Sequence, residues 1–227
     1  MPQITAIILA SGNGSRFGRP KQFALLGGLP VLIRTLQPFQ QNKLITSIII
    51  VTRKTDCRQV EELTVRHHMD KVIMVVPGGD SRQESSRLGV DSCPTNSDFV
   101  LIHDGARPLV STALLQRLIT ALLTCPAVNT VIDTADTIIE LDAGNFIKSI
   151  PERSRLRRCQ TPQGFDYQLI KEAHEHAIRQ GLRGITDDCG LVLAMGGKVF
   201  TVAGEESNIK ITYEQDLQLA EKIINNG

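Results

Sequence analysis

Short apolar runs rich in isoleucine and valine alternate with amphipathic segments through the first 130 residues of the chain. The runs are almost continuously apolar, as in strands buried on both faces, and they predict strands at 5–9, 47–52, 71–76, 99–103 and 130–132. Helical spacing of apolar residues predicts helices at 31–40, 55–67, 82–89 and 112–124. This alternation is typical of βαβ units, so we expect an α/β fold with a Rossmann-like, mostly parallel sheet and helices on both faces.

The pattern changes after residue 132, where two short β-rich runs, 137–141 and 146–150, flank a turn sequence at 142–145. They predict a hairpin, which at this size is marginal in water by itself. Residues 134–154 are therefore interpreted as a protruding β-hairpin arm that packs on a second copy of the chain in a homodimer, with an intramolecular flap as the alternative. The remaining predicted elements complete a single domain over 1–227: helices at 166–180 and 213–225, a helix start at 186–188 and a strand at 199–203.

The composition is that of a globular protein. The 227 residues include 25 Lys and Arg against 24 Asp and Glu, and this balance gives no field that would attract nucleic acid nonspecifically. The apolar runs are far shorter than the roughly 20 residues of a membrane helix, and no signal-peptide pattern is visible, so a cytoplasmic protein without a membrane partner is expected. The five cysteines never form a Cys-x-x-Cys pair, which predicts free thiols and no zinc site.

The first predicted strand leads into a glycine-rich turn, SGNGSRFGRPK at 11–21. Backbone N–H groups together with the cations Arg16, Arg19 and Lys21 suit a polyphosphate. Phe17 stands where a dinucleotide-binding fingerprint has its third glycine, and the sequence of an NTPase phosphate loop is absent. The alternative is an ordinary strand-to-helix loop whose Arg and Lys residues are surface charges.

Six motifs in order give the chain a resemblance to a known family. The stretch IILASGNGSR at 7–16 with PKQ at 20–22 resembles the sugar-phosphate nucleotidyltransferases. Five later motifs are similar to the cytidylyltransferases that act on polyol phosphates: PGGDSRQES at 77–85, IHDGARP at 102–108, QTPQ at 160–163, ITDD at 185–188 and NIKIT at 208–212. The resemblance covers nearly the whole chain, and its best-known members act on 2-C-methyl-D-erythritol 4-phosphate or on ribitol 5-phosphate.

The resemblance implies transfer of a cytidylyl group from CTP to a polyol phosphate with release of pyrophosphate, in the presence of Mg²⁺. The expected acceptor is 2-C-methyl-D-erythritol 4-phosphate, which belongs to the non-mevalonate route to isoprenoid precursors. Ribitol 5-phosphate is the alternative, because DTADTI at 133–138 departs from the usual sequence at the base of the arm. The alternative outside the enzymes is a silent CTP-binding scaffold or sensor.

The resemblance also implies roles for individual residues. The residues expected to stabilise charge during catalysis are Arg16, Lys21 and Lys210. Those expected to bind CTP are Ala10, Ser11, Gly12, Gly14, Gly79, Asp80, Ser85 and Asp104. Those expected to bind the acceptor are Arg107, Thr161 and Thr186 from one subunit and Thr137 and Arg153 from the arm of its partner.

Asp104 is also the candidate metal contact, the alternative being a metal held by the triphosphate alone. It directly follows a predicted strand, so its carboxylate belongs at the sheet edge where ligands bind, although an isolated Asp-Gly is more often a turn. The preceding residue, His103, is predicted to be a buried, hydrogen-bonded histidine without a catalytic role.

Overall fold

The computed structural model describes residues 2–14 and 16–226 of the chain. The strands within these ranges are β1 (Ile4–Ala10), β2 (Leu25–Leu26), β3 (Leu29–Pro30), β4 (Ile45–Thr52), β5 (Val72–Pro77), β6 (Phe99–Asp104), β7 (Ala127–Asp133), β8 (Glu140–Leu141), β9 (Ile147–Ser149), β10 (Arg157–Asp166) and β11 (Phe200–Ala203). The α-helices are α1 (Val31–Gln41), α2 (Cys57–Arg66), α3 (Arg82–Asp91), α4 (Thr112–Leu122), α5 (Tyr167–Arg179), α6 (Asp188–Ala194) and α7 (Glu214–Asn226).

Seven of these strands form one sheet in the order β11-β7-β10-β6-β1-β4-β5, as far as the described residues extend. Strand β1 pairs in parallel with β4 and with β6, β4 pairs in parallel with β5, and β11 pairs in parallel with β7. Strand β10 runs antiparallel to both of its neighbours, β6 and β7. The prediction of a mostly parallel α/β sheet is confirmed.

Helices cover both faces of the sheet because its central strands are apolar on both sides. In β1, Ile8 joins an apolar cluster that also contains Leu36 of α1 and Leu118 of α4. Its neighbour Ile7 points to the opposite face and joins a second cluster with Ile170 of α5. The alternation of side chains along the strand places successive residues in different layers, which explains the continuous apolar runs of the sequence.

Strand β10 was not predicted, and its sequence explains why. RRCQTPQGFD at 157–166 has neither a continuous apolar run nor an apolar alternation. Its buried polar groups are satisfied by other strands: the hydroxyl of Thr130 donates to the carbonyl of Pro162 at 2.6 Å, and the amide of Gln163 donates to Asn129 at 3.0 Å. Because pairing with β6 and β7 makes this strand, local sequence patterns do not reveal it.

The predicted hairpin is present, with shorter strands than expected. Strands β8 and β9 enclose a turn in which the Asp142 carboxylate accepts from the N–H groups of Gly144 and Phe146. Every residue from 135 to 148 is exposed. The arm therefore protrudes from the sheet, as the sequence predicted.

Helix α3 begins where the sequence indicated a capping box. The N–H of Glu84 donates to the Ser81 hydroxyl at 3.0 Å, and the Glu84 carboxylate accepts from the N–H of Asp80 at 2.9 Å. These two bonds fix the turn between β5 and α3, which lies at the carboxyl edge of the sheet. In the ranges that the structure describes, no helix has both the length and the apolarity needed to cross a membrane.

Candidate active site

A cleft of about 580 Å³ opens at the carboxyl ends of β1, β4, β5 and β6. Each of these strands is followed by a segment that lines the cleft, and Lys210 and Thr212, just before α7, also line it. The lining includes residues 9–14, Arg16, Lys21, 53–55, 78–82, 104–106, Lys210 and Thr212. Ligands bind at this edge in α/β sheets of this kind, so the cleft is the candidate active site.

The glycine loop after β1 is anchored at both ends. Gly14 has a φ of +65°, and a Cβ there would collide with the carbonyl of Arg19, so only glycine fits. Phe17 donates its N–H to the Gly14 carbonyl at 2.8 Å and buries its ring in an apolar cluster with Leu217 of α7. The anchored loop brings Arg16 and Lys21 to the cleft wall.

Asp104 is buried at the end of β6 and faces three cations. Lys210 places its Nζ 2.8 Å from Oδ2, while the Nε atoms of Arg82 and Arg107 lie 3.6 Å from Oδ1 and Oδ2 respectively. Burial by itself would raise the pKa of the carboxyl, but Lys210, Arg82 and Arg107 together hold that pKa well below its usual range. The three cations therefore favour the ionised form of Asp104.

Lys21 lies where several positive charges converge. Its Nζ donates to the carbonyl of Ile211 at 2.7 Å, which holds the side chain across the cleft. Burial lowers the pKa of this amine, and the positive charges of Lys210 and Arg16 lower it further. Because like charges raise one another's energy, an anion bound among these three side chains would be stabilised by all of them.

The predicted CTP-binding residues lie together, with one exception. Ala10, Ser11, Gly12, Gly14, Gly79, Asp80 and Asp104 line the cleft. Ser85 lies behind the wall, fully buried, where its hydroxyl accepts from Ser11 at 2.8 Å and from the N–H of Gly79 at 3.2 Å. Ser85 thus joins the glycine loop to the turn before α3.

A chain of hydrogen bonds through Thr161 and His103 holds the backbone of Asp104 in place. The N–H of Asp104 donates to the Thr161 hydroxyl at 3.0 Å, and that hydroxyl lies 3.0 Å from Nδ1 of His103. Nε2 of His103 is 3.1 Å from the carbonyl of Arg107, which can only accept, so Nε2 carries the proton and Nδ1 accepts from Thr161. His103 is wholly buried, as predicted, and burial lowers its pKa to about 4.

The predicted acceptor-binding residues are not gathered around the cleft by one chain. Thr161 is buried and points to Asp104 and His103, and Arg107 donates to the carbonyl of Asn208 at 2.7 Å. Thr186 is exposed just before α6, Thr137 is exposed on the arm, and Arg153 donates to the carbonyl of Ala135 at the base of the arm. None of these five residues is among those that line the described cleft.

Three cations of the cleft were missed by sequence reasoning. Arg53 and Lys54 directly follow β4, and Arg82 begins α3 after β5. The rule that identified Asp104, that residues just after a parallel strand lie at the ligand edge, applies equally to Arg53 and Lys54. Arg82 had a signal too, since it is the first residue of a predicted helix and follows the turn after a predicted strand.

The His103 network predicts how the protein responds to acid. The folded state holds His103 neutral with a pKa of about 4 and the unfolded chain binds its proton near 6.5, so stability is complete above pH 6.5 and falls between pH 6.5 and 4. At 1.36 kcal/mol per pKa unit, the loss from this residue is about 3 kcal/mol. His103→Asn should be less stable at pH 7.5 but should lose less stability on acidification, measured by chemical denaturation at pH 7.5, 6.5, 5.5 and 4.5.

Two other histidines bear on that measurement, one as a further contributor to the pH dependence and one as a control. His174 is also buried with a lowered pKa, so it contributes to the slope in both proteins. His68→Asn is the control, because His68 is exposed at a φ of +52° that asparagine adopts readily. An unchanged slope in His103→Asn would contradict the assignment of a neutral buried ring.

The chain matches one enzyme family over nearly its whole length. Residues 4–226 match the family model described as IspD: 2-C-methyl-D-erythritol 4-phosphate cytidylyltransferase. A protein of that name from Thermobifida fusca is 36% identical over 236 residues, covering 100% of this chain and 95% of the relative. One from Geobacillus thermodenitrificans is 40% identical over 221 residues, covering 96% of each chain.

Solved structures agree with the sequence relatives. The crystal structure of 4-diphosphocytidyl-2C-methyl-D-erythritol synthase from Anaerococcus prevotii has a TM-score of 0.88 at 34% identity and covers 99% of both chains. The 2-C-methyl-D-erythritol 4-phosphate cytidylyltransferase of Thermus thermophilus has a TM-score of 0.78 at 30% identity, covering 96% of this chain and 98% of the other. By sequence over its whole length and by fold, the chain belongs to the 2-C-methyl-D-erythritol 4-phosphate cytidylyltransferase family.

Proposed function

We propose that this protein transfers the cytidylyl group of CTP to 2-C-methyl-D-erythritol 4-phosphate and releases pyrophosphate. The observation that carries the proposal is the convergence of the glycine loop, the cations and Asp104 on one cleft, in a chain of this family. The names of its relatives favour this acceptor over ribitol 5-phosphate, and they favour an enzyme over a silent CTP-binding scaffold or sensor. A cytoplasmic location and the lack of nucleic-acid and membrane partners stay predictions.

The charge of the cleft supports a reaction between two phosphate compounds. Six cationic side chains but only two carboxylates, Asp80 and Asp104, are among the described residues that line it. A triphosphate and a phosphate monoester repel each other in water, so the protein has to offset their charge and hold them in line. Arg16, Lys21 and Lys210, which line one cleft, suit this task.

The transfer requires no covalent bond to the protein. A phosphate oxygen of the acceptor bonds to the α-phosphorus of CTP while the bond from that phosphorus to the pyrophosphate oxygen breaks, and the electron pair leaves with pyrophosphate. The attacking oxygen already carries negative charge, so it needs positioning more than deprotonation. We assign Arg16 and Lys21 to the triphosphate, and Lys210, which lies between Asp104 and the open cleft, to both reacting phosphates.

The cleft suits a divalent cation bound mainly by the nucleotide. Among the described residues, no group of three or more His, Cys, Asp or Glu side chains is arranged to hold a metal ion. Asp104 offers a carboxylate whose pKa is lowered by its neighbours, and Mg²⁺ in proteins is typically held by one or two carboxylates together with substrate phosphates. We propose that Asp104 provides that oxygen; Mg²⁺, when bound, neutralises charge on the triphosphate.

The nucleotide half of the site is assigned to the glycine loop and the turn before α3. Ala10, Ser11, Gly12, Gly14, Gly79 and Asp80 line this part of the cleft, where backbone groups approach a ligand without obstruction by side chains. Ser85 keeps its predicted place in nucleotide binding, and it would act through the Ser11 hydroxyl that it contacts.

The acceptor half is assigned to two subunits. Arg107 and Thr186 remain proposed contacts from one subunit, and Thr161 would act by fixing the backbone of Asp104. We propose that Thr137 and Arg153 reach the site of a partner subunit from the arm. The support is the arm's exposed apolar surface, in which Phe146 and Ile147 are 75% and 60% exposed.

The proposed activity predicts pyrophosphate release that depends on the acceptor. With CTP and Mg²⁺, the purified protein should release pyrophosphate when 2-C-methyl-D-erythritol 4-phosphate is added, and at a far lower kcat/KM with D-ribitol 5-phosphate. A coupled phosphate assay with UTP and ATP as alternative nucleotides measures both preferences. Equal or greater activity with ribitol 5-phosphate would contradict the assignment of 2-C-methyl-D-erythritol 4-phosphate as the acceptor. No pyrophosphate release with either compound would contradict the proposed enzymatic activity.

The loop cations are predicted to matter for turnover and little for stability. Lys21→Ala and Arg16→Ala should each lower kcat by at least about 100-fold, because each removes charge stabilisation of the reacting phosphates. Their melting temperatures should stay close to that of the wild type. Arg16 is exposed, and exposed cations contribute little to folding. Lys21 is half-buried, and its loss removes repulsion from Lys210 and Arg16 together with its bond to the carbonyl of Ile211. The control is Arg19→Ala, in the same loop, because Arg19 pairs with Glu214 at 3.2 Å outside the cleft. Near-normal turnover in Lys21→Ala would refute its assignment.

The shared acceptor site predicts complementation between two inactive variants. Arg153→Ala removes a residue given to the partner's site, whereas Lys21→Ala removes a residue of the chain's own nucleotide site. When equal amounts of the two variants are co-refolded, about half of the dimers are mixed. In a mixed dimer one site carries both changes and the other carries none, so the mixture should recover about a quarter of wild-type activity. Failure to recover, with a mixed dimer demonstrated by native mass spectrometry, would contradict the shared site.

A further inference from the structure

A row of alternating charges connects the buried start of α6 with the cleft. The Asp188 carboxylate accepts from Arg82 Nη1 at 2.8 Å, Arg82 Nε lies 3.6 Å from Oδ1 of Asp104, and Asp104 Oδ2 lies 2.8 Å from Lys210. Arg82 is the member of the row that joins α3 to both carboxylates.

Asp188 is fully buried and does not line the cleft, so its carboxylate is out of reach of a substrate there. Its position is fixed from several sides. Ser86 of α3 donates to Oδ1 at 2.5 Å, the side chain of Gln163 accepts from the Asp188 N–H at 3.1 Å, and His174 Nε2 lies 3.6 Å from Oδ1. Oδ2 is the oxygen that accepts from Arg82. A buried carboxylate held in this way is a rigid anchor for an arginine.

The arginine in turn determines how Asp104 is oriented. Lys210 and Arg107 both face Oδ2 of Asp104, whereas Arg82 faces Oδ1. Cations on both oxygens restrict the rotation of the carboxylate about its side-chain bonds. Without Asp188, the long side chain of Arg82 would be free to turn toward the phosphates of a bound nucleotide and to leave Oδ1.

We propose that Arg82 and Asp188 are positioning residues of this enzyme: Asp188 fixes the guanidinium of Arg82, and Arg82 holds the Asp104 carboxylate in the orientation that the reaction needs. The inference rests on the role proposed above for Asp104. It predicts that charge and geometry at Arg82 affect kcat more than the KM for CTP, because the residue acts on another side chain and not on the nucleotide.

The test compares Arg82→Gln, Arg82→Lys, Asp188→Asn and the double variant Arg82→Gln/Asp188→Asn. A misplaced reacting group costs about 100-fold in rate, so Arg82→Gln should lower kcat by about that factor with the KM for CTP within about three-fold of wild type. Arg82→Lys keeps the positive charge but loses the planar guanidinium group with its several N–H donors. Its kcat should therefore lie between those of the wild type and Arg82→Gln. Asp188→Asn should lower kcat, and in the Arg82→Gln background it should have no further effect, because its action passes through Arg82.

The control and the stability measurement separate this role from a structural one. Arg87→Gln lies on the same helix and loses a surface pair with Asp91 at 2.8 Å, so its kcat should not change. Arg82→Gln leaves a buried carboxylate unpaired and is expected to lower the melting temperature, whereas the double variant removes both charges and keeps the test valid if the single variant does not fold.

Four outcomes would overturn the inference. Normal kcat in Arg82→Gln would remove any role in turnover, and an increase confined to the KM for CTP would make Arg82 a direct nucleotide contact. Losses that multiply in the double variant would show that Asp188 acts independently of Arg82. Asp104→Asn is measured alongside: near-normal activity in that variant, together with a loss in Arg82→Gln, would refute the role of Asp104 itself while leaving the overall activity established.

Discussion

Burial of the Asp104 carboxylate at the end of β6 imposes a condition on the rest of the molecule, because an ionised carboxylate without partners inside a protein is strongly unfavourable. The condition is met by Arg82 at the start of α3, Arg107 in the loop after β6, and Lys210 before α7. These segments are far apart in the sequence. The folded chain must bring them to one place, at the edge of the sheet where the cleft opens.

The supports of this carboxylate extend through the sheet. Strand β10 contributes Thr161, which holds the Asp104 backbone and is itself held by the neutral ring of His103. Strand β10 also contributes Gln163, whose side chain accepts from the backbone N–H of Asp188, the anchor of Arg82. A strand that packs few apolar side chains thus carries much of the polar framework under the site, and it lies beside β6 in the sheet.

The same arrangement accounts for the chemistry. A reaction between two phosphate compounds needs cations that are already in place, since reorganising charges during the reaction is costly. Lys21 and Lys210 are each held by a contact with the protein, the first with the carbonyl of Ile211 and the second with Asp104. Positive charge is thereby concentrated in the cleft at the expense of mutual repulsion, and a bound triphosphate would relieve that repulsion.

The sequence by itself determined the layered α/β fold, the strands of the parallel half and the protruding hairpin. It also determined the edge of the sheet at which Lys21 and Asp104 line the cleft. These features depend on local periodicity and on the rule that parallel strands end at a common edge, both of which can be read from short segments. Only the tertiary structure decided that RRCQTPQGFD at 157–166 is a central strand, that Ser85 and Thr161 point into the protein, and that Arg82 is clamped between two carboxylates. Each of these depends on hydrogen bonds or ion pairs between residues distant in sequence, and such pairings leave no periodic trace in the chain because their energy comes from partners that only the fold brings together.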